Sequence, residues 1–67
     1  MSVIERISQL ASERDISLFR LSALCGVDYR SLVRNSRKGY EPSLTTVNKF
    51  CLVLEISLAD FFEGVVL

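Results

Sequence analysis

The residues with the clearest chemical potential are four cations in the stretch DYRSLVRNSRKGY, residues 28–40: Arg30, Arg34, Arg37 and Lys38. No carboxylate lies between the two tyrosines of this stretch, although the 67-residue chain has eight cations, eight anions and no net charge. Such a local excess of positive charge can contact anionic groups such as phosphates. A run of cations is equally typical of a plain solvated face, so the charges alone leave both interpretations open.

Other kinds of functional site lack the residues that they need. The chain has no histidine, and Cys25 and Cys51 stand far apart and outside a Cys-x-x-Cys motif, so we expect no metal centre. We expect both cysteines to be reduced thiols that serve as small apolar core residues. The usual acid, base and nucleophile sets cannot be assembled and no Gly-rich phosphate loop is present, so the sequence predicts no enzyme and no cofactor. No site for a small-molecule ligand is evident.

Composition and length predict one small folded domain. Apolar residues make up 49% of the chain and charged residues 24%, as in globular proteins and unlike disordered ones. The longest apolar run, residues 50–54, is far shorter than the roughly 20 residues of a membrane-spanning helix, and no signal-peptide pattern opens the chain. We therefore expect a cytoplasmic domain over residues 1–67, with no membrane partner and with residues 64–67 as a short tail. A core of this size supplies only about 3 to 5 kcal/mol of net stability, which makes self-association a candidate supplement.

Capping residues divide the chain into five predicted helices. Ser2 and Glu5 form a capping box, in which each side chain accepts a hydrogen bond from an otherwise unpaired backbone N–H. The N-caps of the other four helices are Ser17, Asp28, Ser43 and Ser57. The fourth helix is predicted to bury one apolar stripe, made of Leu44, Val47, Cys51 and Leu54. A short strand is possible only at residues 65–67, so the pattern predicts a compact all-α domain.

Residues 17–33, SLFRLSALCGVDYRSLV, follow the helix-turn-helix plan. A helix of about two turns is followed by a short turn that contains Gly26, and then by a second helix with its own cap. Glycine tolerates the left-handed backbone that a tight turn requires, and the turn lets the second helix project outward. A projecting helix of this kind is able to enter a groove of duplex DNA.

Several short motifs surround this plan. They are Ile16-Ser17, Leu21-Ser22, Gly26-Val27-Asp28, Pro42-Ser43-Leu44, Thr46-Val47 and Ile56-Ser57-Leu58 with Phe61-Phe62. In this order, and without a gap, residues 4–63 resemble the phage-repressor DNA-binding family (XRE, or Cro/cI-type). The resemblance implies a five-helix, lambda-repressor-like domain whose third helix reads DNA.

The chain also departs from the pattern of that family. Leu18 stands where members often have a glutamine that contacts a phosphate, so only its backbone N–H can serve there. An arginine and glutamate that members commonly pair are replaced together, by Ala11 and Ser36. Asn35 replaces an apolar residue late in the third helix, and Glu55 replaces a glycine between the last two helices, which suggests local strain or a shifted helix end.

The resemblance assigns roles to residues around the third helix. The predicted base-contacting residues are Tyr29, Arg30, Val33 and Arg34. Arginine can donate two hydrogen bonds to the O6 and N7 atoms of guanine, and valine can pack on a thymine methyl group. The predicted phosphate-contacting residues are Ser17, Leu18, Arg37, Lys38 and Tyr40.

The resemblance further implies double-stranded DNA and a second copy of the chain as partners. The predicted dimer interface comprises Phe61, Phe62, Val65, Val66 and Leu67. Apolar residues at positions usually polar in the family also suggest an interface: Leu18, Phe19, Leu24 and Leu52. The alternative is a protein-interaction module that keeps the fold without binding DNA, which the zero net charge permits. If DNA is bound, that neutrality predicts weak nonspecific affinity and not the loss of a specific site.

Overall fold

Five α-helices follow one another in the computed structural model, which describes residues 1–65. They are α1 (Val3–Glu13), α2 (Leu18–Cys25), α3 (Tyr29–Arg37), α4 (Leu44–Leu54) and α5 (Leu58–Glu63). The described part of the chain contains no strand, and Val65 lies in a bend, so the predicted all-α fold is confirmed. The sequence left a short strand possible at residues 65–67, of which residues 66 and 67 lie outside the described part. Over the same residues, no helix has the length and apolar character needed to cross a membrane.

Every predicted N-cap is in place. Ser2 Oγ accepts a hydrogen bond from the Glu5 N–H at 3.2 Å, and Glu5 Oε1 accepts one from the Ser2 N–H at 3.1 Å, which completes the capping box. The other helices begin with the same chemistry, since their first backbone N–H groups have no partner within the helix. Their caps are Ser17, Asp28, Ser43 and Ser57.

Two helix ends use the left-handed backbone conformation. Gly26 ends α2 with φ 71°, where glycine meets no steric penalty. Glu55 ends α4 in the same conformation, with φ 59° and ψ 42°. A residue with a Cβ atom costs about 1 to 2 kcal/mol there, so the strain suggested by the sequence lies at Glu55, and the end of the helix is not displaced.

The core lies where α1, α2, α4 and α5 meet, with one residue from α3. Its buried apolar residues are Ile7, Leu10, Ala11, Leu21, Leu32, Val47, Phe50, Cys51, Leu54 and Phe61. The stripe predicted for α4 was wrong at Leu44, whose side chain is 62% exposed, and it omitted Phe50, which is fully buried. The buried side of α4 is rotated towards Phe50 and away from Leu44, because the neighbouring helices and not the spacing alone decide which side is covered.

Arg6 of α1 and Arg14, the residue that caps the end of α1, bind the carbonyl ends of later helices. The Arg6 guanidinium donates hydrogen bonds to the Phe61 carbonyl at 3.0 Å and the Asp60 carbonyl at 3.1 Å. Arg14 Nη2 donates to the Leu54 carbonyl at 2.9 Å. Carbonyls in the last turn of a helix lack partners within the helix and carry its negative dipole end, so cations are favourable there. Arg6 and Arg14 are therefore part of the fold, and the other six cations are exposed.

Both cysteines are free thiols within the apolar part of the molecule. Cys51 is buried in the core and Cys25 is half-buried against it. Burial raises the pKa of both thiols above the ordinary value, because it disfavours the charged thiolate. This matches the expected role of small apolar residues.

Candidate nucleic-acid interface

The unit formed by α2, the glycine turn and α3 is held by a few short contacts. The Val27 N–H donates a hydrogen bond to the Ser22 carbonyl at 2.9 Å, which closes the turn next to Gly26. Ser22 is itself fully buried, and its hydroxyl donates to the Leu18 carbonyl at 2.8 Å. Leu21 from α2 and Leu32 from α3 enter the core on either side of this turn. These contacts set the direction in which α3 leaves α2.

The arginines of α3 lie on the side of the helix that faces away from the core. Leu32 is the only buried residue of α3, and it packs in the core. Arg30, Arg34 and Arg37 follow the i, i+4, i+7 spacing that places residues on one helical face, nearly opposite Leu32. All three are exposed. The side of α3 that carries positive charge is thus open to a large partner.

The first turn of α3 is fixed by a hydrogen-bond chain that ends on an arginine. The Asp28 carboxylate accepts hydrogen bonds from the Ser31 hydroxyl at 3.0 Å and from the Arg30 N–H at 3.0 Å. Arg34 Nη2 in turn donates to the Ser31 hydroxyl at 3.2 Å. The hydroxyl of Ser31, followed by backbone N–H groups and the charge of Arg34, holds the pKa of the Asp28 carboxyl below its ordinary value. Arginine has five N–H donors, so Arg34 is oriented by one contact and retains donors for a ligand.

Tyr29 and Val33, the other two predicted base-contacting residues, are half-buried. The Tyr29 ring meets the ring of Phe19 from α2 edge to face, with 5.3 Å between centroids and 79° between planes. Phe19 was not among the residues predicted from the sequence to contact DNA. The only signal for it was an apolar residue at a position that is usually polar in the resembling family.

The predicted phosphate-contacting residues lie at the two ends of this unit. Ser17 is exposed at the start of α2, whereas Leu18 is half-buried against the core, so only its backbone can serve a phosphate. Arg37, Lys38 and Tyr40 are exposed at the end of α3 and just after it. The first backbone N–H groups of α2 and the cations after α3 are both suitable donors to phosphate oxygens.

A groove of about 400 Å³ lies beside α3, on a different side from the arginines. Ser31 and Asn35 line it from α3, and Thr46 and Lys49 line it from α4. None of the four predicted base-contacting residues lines this groove. The basic exposed side of α3 therefore lies away from the side that faces the core and this groove, which Leu32 also lines.

The residues predicted for a dimer interface have different surroundings. Phe61 is 0% exposed and packs in the core of the single chain, so contact of its side chain with a second chain stays a prediction that this burial does not support. Phe62 is half-buried, with its ring edge to face against Phe61 at 5.1 Å between centroids. Val65 is half-buried as well. Val66 and Leu67 lie outside the described residues.

A short helix, a glycine turn and a projecting basic helix together define a helix-turn-helix domain. Comparison with known families supports this directly. The sequence model of the Cro/C1-type HTH DNA-binding domain family matches residues 6–65, so the chain belongs to this family. The resemblance noted in the sequence is thereby confirmed. This is a DNA-binding regulatory family and not a family of enzymes, so the chain is a DNA-binding regulator. No curated protein and no solved structure matches the chain.

Proposed function

We propose that this DNA-binding protein regulates transcription as a homodimer on a pseudo-palindromic operator, as a repressor or as the controller of a restriction-modification system. The observation that carries the proposal is the exposed face of Arg30, Arg34 and Arg37, which lies opposite the buried Leu32. In this proposal residues 1–67 act as one DNA-binding domain in the cytoplasm, with residues 64–67 as its tail.

The proposed reading of bases is done by the exposed side of α3. Arg30 and Arg34 each donate two hydrogen bonds to a guanine in the major groove, where O6 and N7 form a matching pair of acceptors. Val33 contacts a thymine methyl group, and Tyr29 contacts the bases beside the first turn. The Asp28–Ser31–Arg34 hydrogen bonds support this role, because they limit the directions in which the Arg34 guanidinium points before DNA arrives.

The proposed phosphate contacts fix the position of α3 in the groove. Ser17 and the Leu18 N–H meet the DNA backbone at the start of α2. Arg37, Lys38 and Tyr40 meet it at the end of α3 and just after it. Each cation that neutralises a phosphate releases counterions, so binding weakens as salt is added. Arg6 and Arg14 do not take part, since their guanidinium groups are bound to helix carbonyls.

The proposed dimer joins two chains through Phe62 and Val65 together with Val66 and Leu67. Two helices that read neighbouring major grooves lie about 34 Å apart. The longest extent of the described chain is only 26 Å, so each α3 must lie on the outer side of a two-fold dimer. The fold is compatible with this arrangement, because α3 packs mainly on α2 whereas α5 packs on α4.

Selection of bound fragments from a random pool of duplex DNA tests the proposal. We expect a two-fold symmetric consensus, an affinity that falls steeply with salt, and a dimer in sedimentation experiments. A folded protein whose weak binding to all fragments is independent of salt would instead favour the protein-interaction module. A monomer bound to a single, asymmetric half-site would refute the homodimer but not the reading of DNA.

A further inference from the structure

Phe19 is an exposed aromatic residue beside the predicted reading surface. Its side chain is 63% exposed, whereas Leu21 and Ser22 of the same helix are fully buried. The core of α2 is therefore complete without Phe19. A single exposed apolar residue is ordinary on a protein surface, so exposure alone assigns no role to it.

The position of Phe19 is what distinguishes it. It lies in the first turn of α2, and its ring meets Tyr29, the first residue of α3. Edge-to-face contact between two rings holds both in a defined orientation. An apolar ring is thus fixed between the start of the helix that meets the DNA backbone and the start of the helix that reads bases.

Leu24 provides an internal comparison. It also lies on α2 and has a similar exposure, 57%, but it is near the other end of that helix. If exposed apolar residues on α2 made only nonspecific hydrophobic contacts, Phe19 and Leu24 would have equivalent roles. The ring of Phe19 touches Tyr29, which is a predicted base-contacting residue.

We propose that Phe19 is a specificity-determining residue that contacts the 5-methyl group of a thymine, at the base pair next to the first turn of α3. The inference rests on the proposed function and deepens it. Thymine is the only base that presents a methyl group in the major groove, since cytosine carries only a hydrogen on the same ring carbon. The arginines of α3 read hydrogen-bond acceptors, and Val33 is assigned to a thymine of its own, so Phe19 adds a second, separate methyl contact beside the first turn of α3. Tyr29 supports the Phe19 ring from the side.

The test uses the full chain and the operator obtained by selection from random DNA. Besides the thymine assigned to Val33, we expect one further fixed thymine in each half-site for the wild-type protein, and no preference at that further position for Phe19→Ala. Replacing this thymine by deoxyuridine removes only the methyl group. It should weaken wild-type binding about fourfold per half-site, the factor that corresponds to one buried methyl group. For Phe19→Ala the same replacement should change the affinity by less than about twofold.

A second variant excludes an indirect explanation. Leu24→Ala should retain the wild-type dependence on the methyl group, because Leu24 lies near the other end of α2. Thermal unfolding measured by circular dichroism should show that Phe19→Ala remains folded, as expected for a residue with its side chain mostly in solvent.

The outcomes separate this inference from the proposed function. A symmetric, salt-sensitive operator without this further methyl-dependent thymine, or full methyl dependence at that position in Phe19→Ala, would overturn the role of Phe19 and leave the DNA-reading function intact. Failure to select any operator would overturn both. Methyl dependence that is lost in Phe19→Ala and kept in Leu24→Ala would support the inference.

Discussion

Replacing Arg37 and Lys38 together by glutamine should make DNA binding less sensitive to salt. Both residues are exposed at the end of α3 and neither is part of the core, so the variant should remain folded. A homodimer would lose four cations at phosphates. Since each phosphate contact contributes about 0.9 to the slope of log affinity against log salt, the slope should become shallower by about 3.6. Between 50 and 200 mM salt, the wild-type protein should therefore lose about a hundredfold more affinity than the variant does.

Fluorescence anisotropy of a labelled operator, titrated at several salt concentrations, measures this slope. Lys49→Gln is the matched control, because Lys49 is an exposed cation on α4 that lines the groove beside α3 and is not on the arginine face. Its slope should stay close to that of the wild-type protein. An Arg37→Gln/Lys38→Gln variant with an unchanged slope would refute the assignment of these two residues to phosphates, even if its overall affinity fell.

Three further predictions concern single residues. Arg34→Ala should cost about 1 to 3 kcal/mol of discrimination at one guanine per half-site, measured by competition between operators that differ at each position. Glu55→Gly should raise the free energy of unfolding by about 0.5 to 1 kcal/mol, because the relief of left-handed strain exceeds the cost of the more flexible unfolded chain. Glu55→Ala keeps the strain and should show no such gain in thermal melts. The pKa of Asp28 is lower in the folded chain, so its contribution to stability is present above its unfolded pKa and is lost as the pH falls through the folded value. Asp28→Asn, which can still cap α3, should reduce the acid-induced loss of stability in urea titrations; an unchanged acid profile would contradict this assignment.

The helix starts could be predicted because their chemistry is local. A serine or aspartate oxygen satisfies backbone N–H groups two or three residues further on, so the signal lies within one turn of sequence. Ser2, Ser17, Asp28, Ser43 and Ser57 all act in this way. The strained end at Glu55 was also accessible, since the resembling family identifies a glycine position there and the local geometry requires a positive φ.

The features that escaped prediction depend on contacts between distant parts of the chain. Spacing indicates that α4 has an apolar side, but only the packed helices show that Phe50 is covered and Leu44 is not. Nothing near Arg6 in the sequence indicates that it would bind the carbonyl of Phe61. Phe61 itself is buried because the packing of α5 against its neighbours decides which of its residues face the core.

In the candidate site, too, local features could be predicted and contacts between helices could not. The exposed arginine face follows from the i, i+4, i+7 spacing and the buried Leu32, both of which could be read from the sequence. The pairing of Phe19 with Tyr29 could not, because it depends on the angle between α2 and α3. The roles of these residues towards DNA remain predictions that binding experiments address.

The most direct test of the central claim is a map of backbone amide chemical shifts as the selected operator is added to labelled protein. If the basic side of α3 enters the major groove, the largest changes will fall in residues 29–38 and at the start of α2. Amides at the buried centre of α1, around Ile7 and Leu10, will change little. Large changes confined to α4 and α5, with residues 29–38 unaltered at saturation, would contradict the account.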